Sequence, residues 1–355
     1  MKDKINEFIL KNEELPILLN ILYLRGNTRF NIYPFLIRTN IFNVALEKKI
    51  TINKLISINE YRKIIENDGL YDFPDIVPKF KILSSVLLAS GFLKYSNMTK
   101  IINGLENIKS TNPLKGQRHT FIGMDTNCFI NRIYSVFKHI YNMDIVRFYF
   151  VLSRIVRTEL VSMNKIPNEQ LDELRNRYRE NREIFDEFWN GDSLFTRTKH
   201  IGLVEFNKLQ TQSKCLINDG VEIDKSREHD YQIIEDYRKQ ILPQHYNLML
   251  LSSDKQFAEQ ARQPGVNSFY LEKPPLDEMP NEYFGNWHML CDLLYLLSIY
   301  FGAISFRGNN NTVKMFGLWR GKQANNWDFE SVKIRLGSES LAYMLTQQLT
   351  IIRGH

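Results

Sequence analysis

The chain has 355 residues, 43% hydrophobic and 24% charged, with a net charge of +6, which excludes an intrinsically disordered protein. Its length favours two or three domains. The longest apolar run, residues 289–306, contains Asp292 and is shorter than the roughly 20 residues that span a bilayer. Because no signal-peptide pattern opens the sequence, we expect a cytoplasmic protein with no membrane partner.

The cysteines argue against a disulfide framework and against structural zinc. Cys128, Cys215 and Cys291 are far apart in sequence and form no C-x-x-C pair, and no histidines lie at zinc-finger spacing. We therefore expect them to be small buried hydrophobic residues.

The positive charge is concentrated in the first third of the chain. Residues 1–120 contain 18 Lys and Arg against 11 Asp and Glu, and the remainder is close to neutral. A basic region of this kind suits a phosphate backbone, because its cations release condensed counterions on binding. An ordinary solvated surface would give the same count, so both interpretations stay open.

Residues 1–112 are interpreted as a helical N-terminal domain. Apolar residues recur with a spacing near 3.6 in residues 5–23, 52–65 and 80–108. The polar, turn-rich residues 109–120 then predict a domain boundary.

Residues 118–275 have the alternating pattern of an α/β domain. Short apolar or β-branched runs predict strands, and amphipathic or N-capped segments predict helices between them. The predicted strands are residues 121–124, 146–152, 247–251 and 266–271, and the predicted helices are residues 131–141, 153–163, 230–242 and 255–262. Strands that alternate with helices predict a parallel sheet with right-handed crossovers. We expect a helical insertion at about residues 165–220.

Residues 280–355 are expected to form a small α+β extension. The sequence pattern predicts two helices, at residues 286–300 and 338–352. It also predicts a β-hairpin formed by residues 312–319 and 327–336. The aromatic residues of this hairpin, Trp319, Trp327 and Phe329, could stack on unpaired bases or could belong to the core.

Two of the predicted strands are followed by aspartates. Asp125 and Asp254 are each the first acid after an apolar run, and the carboxyl ends of parallel strands meet at one edge of a sheet. Clustered carboxylates can hold the divalent ions that assist phosphodiester hydrolysis. Each aspartate could instead only cap the helix that follows it.

Residues 121–271 resemble the PIN-domain family of nucleases. Residues 121–127, FIGMDTN, are similar to the family's first motif, a strand followed by D-T-N. Residues 153–160, SRIVRTEL, resemble the second motif, in which a helix presents Glu159. Asp230 at a helix start corresponds to the third acid, and residues 250–257, LLSSDKQF, resemble the S/T-x-D motif around Asp254.

This resemblance implies a PIN-like parallel sheet between helices and a Mg²⁺- or Mn²⁺-dependent endoribonuclease. The implied catalytic residues and metal ligands are Asp125, Glu159, Asp230 and Asp254. Asn127 and Ser252 would support them, and Arg227 and Lys255 are weaker candidates for contacts with nucleic acid. RNA is favoured over DNA by family analogy alone.

Some alternatives stay open at this point. The interval between Glu159 and Asp230 is longer than in compact PIN domains, so Glu222, Asp224 and Glu228 also compete for the role of third ligand. The chain could also be a catalytically degenerate PIN fold that binds nucleic acid or regulates, with a helix-turn-helix in residues 52–108. The sequence does not define a protein partner or an oligomeric state.

Overall fold

The structure, a computed structural model, describes residues 6–110, 115–179, 182–187, 191–217, 229–308 and 311–354. The chain divides into two compact units. The antiparallel unit comprises Met1–Leu93, Asn164–Arg197 and Met279–His355, and the parallel unit comprises Lys94–Met163 and Thr198–Glu278. The expected division into three consecutive segments is therefore wrong.

The described elements alternate between strands and helices along most of the chain. In chain order the strands are β1 (Asn6–Leu10), β2 (Arg29–Pro34), β3 (Phe42–Leu46), β4 (Ile50–Asn53), β5 (Thr120–Met124), β6 (Tyr149–Leu152), β7 (Lys214–Ile217), β8 (Asn247–Ser252), β9 (Asn267–Tyr270), β10 (Glu282–Gly285), β11 (Ala303–Arg307), β12 (Thr312–Phe316) and β13 (Val332–Leu336).

The helices are numbered in the same way. In chain order they are α1 (Leu15–Leu24), α2 (Ile58–Asn67), α3 (Lys81–Ala89), α4 (Met98–Lys109), α5 (Thr126–Ile130), α6 (Ile133–Ser135), α7 (Arg154–Val161), α8 (Asn168–Arg177), α9 (Arg182–Glu187), α10 (Leu194–Gln212), α11 (His229–Ile241), α12 (Lys255–Arg262), α13 (Trp287–Tyr300), α14 (Ala324–Asp328) and α15 (Glu339–Arg353). Within the described residues, no helix is both long and apolar enough to cross a membrane.

The antiparallel unit is built on one sheet. Its eight described strands are ordered β1-β13-β12-β11-β2-β3-β4-β10, and all neighbouring pairs run antiparallel. Helix α13 packs on β11 and β12 and contacts α1 and α3. It is apolar on all sides, as expected for a helix at the centre of a core.

The prediction of a helical N-terminal domain is corrected by β1 to β4. In β2 the side chains of Phe30 and Ile32 are buried and those of Asn31 and Tyr33 are half-buried, so the apolar period is two rather than 3.6. Helices α2, α3 and α4 do fall within the predicted helical segments. The last of these, α4, belongs to the parallel unit.

The C-terminal residues are part of the large sheet rather than a separate extension. Helices α13 and α15 confirm the two predicted helices, and β12 pairs antiparallel with β13 as the predicted hairpin requires. Helix α14 lies between β12 and β13 in sequence. Strand β11 also pairs with β2, and β13 also pairs with β1, so both reach strands from the opposite end of the chain.

The parallel unit confirms the predicted parallel sheet. Its described strands are ordered β7-β6-β5-β8-β9, all parallel, with β5 in the centre. The predicted insertion at residues 165–220 is only partly helical and is split between the units. Helices α8 and α9 lie in the antiparallel unit, and the short edge strand β7 lies in the parallel unit.

A glycine fixes the position of α11 on the central strand. A Cβ atom at Gly123 would lie 2.7 Å from Leu250 Cδ2 and 3.0 Å from the Tyr237 ring, so only glycine permits this approach. The Tyr237 hydroxyl then donates to the Met124 carbonyl at 2.6 Å. These contacts hold α11 against the end of β5, immediately before Asp125.

Candidate active site

Asp125 follows the central strand β5 directly and is buried, with 3% of its surface exposed. Its Oδ1 accepts a hydrogen bond from the Cys128 N–H at 2.7 Å, and its Oδ2 accepts one from the Ser252 hydroxyl at 2.5 Å. The first bond makes Asp125 the N-cap of α5, so the helix-cap alternative describes its local geometry correctly.

Asp254 occupies the equivalent place after the neighbouring strand β8. Its Oδ1 accepts from the Gln256 N–H at 2.8 Å, which makes it the N-cap of α12. The Asp254 N–H donates to Ser252 Oγ at 2.8 Å. Ser252 therefore donates to the Asp125 carboxylate and accepts from the main chain of Asp254.

The pKa of Asp125 is raised to about 6. Burial is the main cause, and the charge of Asp254 raises the pKa further, while hydrogen bonds from Ser252 and Cys128 lower it. Within the described residues, no Lys or Arg side chain forms an ion pair with Asp125. Among the described residues, the hydrogen bonds to this carboxyl therefore come from a hydroxyl and a backbone N–H rather than from a cation.

Glu159 lies on α7, the helix that Ser153 caps as predicted. Its Oε2 accepts a short hydrogen bond from the Thr126 hydroxyl, and its Oε1 lies 2.9 Å from His229 Nδ1. Thr126 directly follows Asp125, so Glu159 is tied to the first turn of α5. The fold thus brings the predicted second acid to the residue next to the first.

The remaining predicted site residues occupy varied positions. Asp230 is the second residue of α11, half-buried, and directly follows His229. Asn127 is exposed on α5, and Lys255 begins α12 with its Nζ 3.8 Å from Glu259 Oε1. Arg227 and the alternative third acids Glu222, Asp224 and Glu228 lie outside the described residues.

The described residues contain no ready-made metal-binding group. No three His, Cys, Asp or Glu side chains among them lie close enough together to hold a metal ion. The donor types that Asp125, Asp254 and Ser252 offer, carboxylate and hydroxyl oxygens, are those that Mg²⁺ and Mn²⁺ prefer. The chemistry of the donor set therefore fits a hard cation, and Glu159 would have to turn away from Thr126 or His229 to join it.

The structure also brings in residues that the sequence reasoning did not assign. Two of these residues are Thr126 and His229, which both contact Glu159. In the sequence Thr126 directly follows Asp125, and His229 directly precedes Asp230. Tyr95 is a third, with a buried hydroxyl that has no hydrogen-bond partner in the described part of the chain. Burial raises the pKa of Tyr95, and Cys128 and Asp125 raise it further. No sequence signal links Tyr95 to the acids.

The proposed stacking surface at Trp319 and Trp327 is wrong. These side chains are only 3% and 7% exposed, and both pack around Lys322, whose Nζ lies 4.6 and 3.8 Å from their ring centroids. Lys322 also donates to the Gly317 carbonyl at 2.7 Å. The core interpretation of these tryptophans is therefore correct, whereas Phe329 is exposed.

Comparisons with known proteins add little to this geometry. No protein-family profile matches the chain, and no curated protein matches it. A solved domain of a functionally unknown protein from Methanocaldococcus jannaschii DSM 2661 is similar at 16% identity with a TM-score of 0.28, over 43% of this chain and 92% of that one. A likeness this weak identifies neither a family nor an activity.

Proposed function

We propose that this protein is a PIN-like, Mg²⁺- or Mn²⁺-dependent endoribonuclease whose catalytic residues are Asp125, Glu159, Asp230 and Asp254. The observation that carries the proposal is the buried Asp125 carboxyl at the end of the central parallel strand, joined through Ser252 to Asp254 on the next strand. The resemblance of residues 121–271 to the PIN motifs supports the same assignment.

Helix capping alone does not account for Asp125. A neutral Asn or Ser caps a helix as well as an aspartate does. Burial, with a smaller contribution from the charge of Asp254, raises the pKa of Asp125 to about 6 and disfavours its ionised form. Strongly perturbed carboxyls of this kind are concentrated at functional sites.

The roles of the side chains follow from their contacts. A bound divalent ion would supply an activated water and neutralise charge on the leaving oxygen. Asp125 and Asp254 would hold that ion, and Ser252 keeps the Asp125 carboxylate oriented. Since Asp125 must lose its proton to serve as a ligand, metal affinity should increase as the pH rises through about 6. Glu159, hydrogen-bonded to His229, can accept a proton close to this site.

The test is cleavage of a labelled single-stranded RNA by the full chain in Mn²⁺, in Mg²⁺ and in EDTA. We expect cleavage with either metal, none in EDTA, and a loss of about 100-fold or more for Asp125→Asn and Asp254→Asn. Asp144→Asn is the matched control, because Asp144 is an exposed acid of the same unit. Parental rates in both Asp125→Asn and Asp254→Asn would refute the proposed site.

A non-catalytic PIN-like protein that binds RNA without cutting it is the second candidate. It is favoured by the lack of a three-acid group among the described residues. This candidate predicts RNA binding by the parent chain with no cleavage in either metal. Metal-dependent cleavage that Asp125→Asn abolishes would exclude it.

A further inference from the structure

A groove on the open face of the large sheet lies in the antiparallel unit, away from the catalytic residues in sequence. Its volume is about 420 Å³ and it crosses β2, β3, β4 and β10. The residues that line it are Arg29, Asn31, Asn43, Val44, Ala45, Glu47, Thr51, Asn53, Lys54, Glu282 and Phe284. On the opposite face of the same strands, Phe30, Ile32 and Ile52 are buried in the core.

Three asparagines form a row across this groove. The register places Asn31 opposite Asn43 and Asn43 opposite Asn53, so the three side chains lie side by side on adjacent strands. Arg307 and Glu282 continue the row at its two ends. Asparagine is disfavoured in strands, so sheet stability does not explain three of them in register.

The amide groups of this row are available to a ligand. Asn40 donates to Asn43 Oδ1 at 2.6 Å, which leaves the Asn43 NH₂ group facing the groove with no described acceptor. The side chains of Asn31 and Asn53 form no hydrogen bond with any described residue. Each of these two can therefore offer a donor and an acceptor at once.

An aromatic ring and a basic rim accompany the amides. Phe284 is 58% exposed on the edge strand β10. An adjoining cavity of about 420 Å³ shares Phe284 and Glu47 with the groove. Four basic side chains line the two cavities and outnumber the acidic Glu47 and Glu282; they are Arg29, which lies 3.5 Å from Glu47, and Lys48, Lys49 and Lys54. This charge favours a ligand with phosphate groups.

From these features we infer that the groove binds single-stranded RNA. Planar amides can pair with base edges, an exposed ring can stack on a base, and the basic rim can contact the backbone. A single strand is required, because the bases of an A-form duplex are stacked on one another and their major-groove edges lie in a deep, narrow groove. A neutral oligosaccharide could use the amides and the ring but not the excess of basic groups. The choice of RNA over DNA rests on the proposed function.

Binding is measured by fluorescence anisotropy of a labelled, unstructured RNA 12-mer with the full chain in EDTA, where no metal-dependent cleavage occurs. Phe284→Ala should raise Kd by about 5- to 50-fold, the range expected for loss of one stacked base. Tyr343→Ala is the matched control, since Tyr343 is an equally exposed aromatic residue of the same unit on α15. The Kd of Tyr343→Ala should stay within about 2-fold of the parental Kd, because Tyr343 does not line the groove.

Two further variants test the amides and the charges separately. Asn31→Ala combined with Asn53→Ala should raise Kd about 5-fold or more, because two base-edge contacts are lost. Lys48→Gln combined with Lys49→Gln should reduce the slope of log Kd against log salt by about 2, one for each phosphate contact.

The outcomes separate this inference from the proposed function. If Phe284→Ala and the double asparagine variant bind RNA as tightly as the parent, the groove is not the binding surface. If an RNA duplex or a neutral oligosaccharide competes as well as the single strand, the groove does not select single-stranded RNA and the inference is overturned. A parent chain that binds through the groove but never cleaves RNA refutes the nuclease and upholds this inference. Asp125→Asn should keep the parental Kd in EDTA.

Discussion

Two buried carboxyl groups, one in each unit, have opposite pKa shifts. Glu14 in the antiparallel unit is 5% exposed, and burial alone would raise its pKa. Hydrogen bonds from Arg353, both at 2.7 Å, and from the Lys11 N–H outweigh burial and lower it. Asp125 in the parallel unit is as deeply buried, yet its pKa is raised to about 6.

Burial is the largest cause acting on both carboxyls, and in both it raises the pKa. Glu14 is paired with a guanidinium group that outweighs burial, whereas the hydrogen bonds from Ser252 and Cys128 to Asp125 do not, and the charge of Asp254 raises the pKa of Asp125 further. The parallel unit also neutralises a buried acid elsewhere, because fully buried Glu205 lies 3.1 Å from Lys208 Nζ and 3.6 Å from Arg132 Nε. A lack of neutralisation is therefore a local property of the strand ends where Asp125 lies, and this favours a cationic ligand there.

Removing the charge of Glu205 should have the largest effect on stability. Arg132 is 2% exposed, and Glu205→Gln would remove the charge of the carboxylate that lies 3.6 Å from its Nε. We expect a loss of about 3 kcal/mol in the free energy of unfolding. Urea denaturation at pH 7 measures it, with Asp144→Asn as the surface control. A loss below about 1 kcal/mol would mean that solvent or another acid already compensates the Arg132 guanidinium group.

A smaller loss is expected for Glu14→Gln. The Gln amide can keep one of the two hydrogen bonds to Arg353, and Arg353 is 47% exposed and can be hydrated. We expect a loss of about 1 to 2 kcal/mol at pH 7. Since the pKa of Glu14 is lowered on folding, its contribution is present above 4.5 and is lost as the pH falls through the lowered value. Urea denaturation at pH 7 and pH 3 should show the difference between parent and variant shrinking at pH 3. An equal difference at both pH values would show that the ionised form of Glu14 is unimportant.

The two units also differ in how far the sequence predicts them. Strands β5 and β8 each join an apolar run to an aspartate, so the parallel sheet and the Asp125–Ser252–Asp254 contacts follow from local patterns. The antiparallel sheet depends on pairing between distant residues, such as β1 with β13, which no local pattern reveals. Asparagines also stand at outward positions of β2, β3 and β4, where β-branched or aromatic residues would mark a strand more clearly.

The same distinction applies within the candidate site. Glu159 and His229 meet because α7 packs against α11, and their contact depends on tertiary packing rather than on spacing in the sequence. The sequence left Trp319 and Trp327 open between a stacking surface and the core, because burial around Lys322 is likewise a tertiary property. Phe284, by contrast, lies in a short edge strand with little sequence pattern around it.

The smallest net change in stability is expected for Asp125→Asn, the variant that should abolish cleavage. The Asn side chain keeps the volume of Asp and can still accept from the Cys128 N–H. Ser252 can turn its hydroxyl to the Asp254 carbonyl, 3.0 Å away, and accept from the new amide. The charge-assisted hydrogen bonds of the carboxylate are lost, at about 1 to 2 kcal/mol each.

That loss is offset by removing a buried charge, and the offset depends on pH. A pKa that rises from 3.8 to about 6 on folding corresponds to a destabilisation of about 3 kcal/mol for the ionised carboxyl. Because the folded pKa is raised, the contribution of Asp125 to stability is fully present below 3.8 and is lost as the pH rises through about 6. The free energy of unfolding of Asp125→Asn relative to the parent should therefore increase between pH 4 and pH 8, ending within about 1 kcal/mol of the parent at pH 8.

Urea denaturation in EDTA at pH 4, 6 and 8 measures this difference, and Asp144→Asn should show no such trend. A relative stability that falls with pH would mean that the Asp125 carboxylate is stabilised in the fold as Glu14 is, and the case for a cation-binding acid at the end of β5 would then fail.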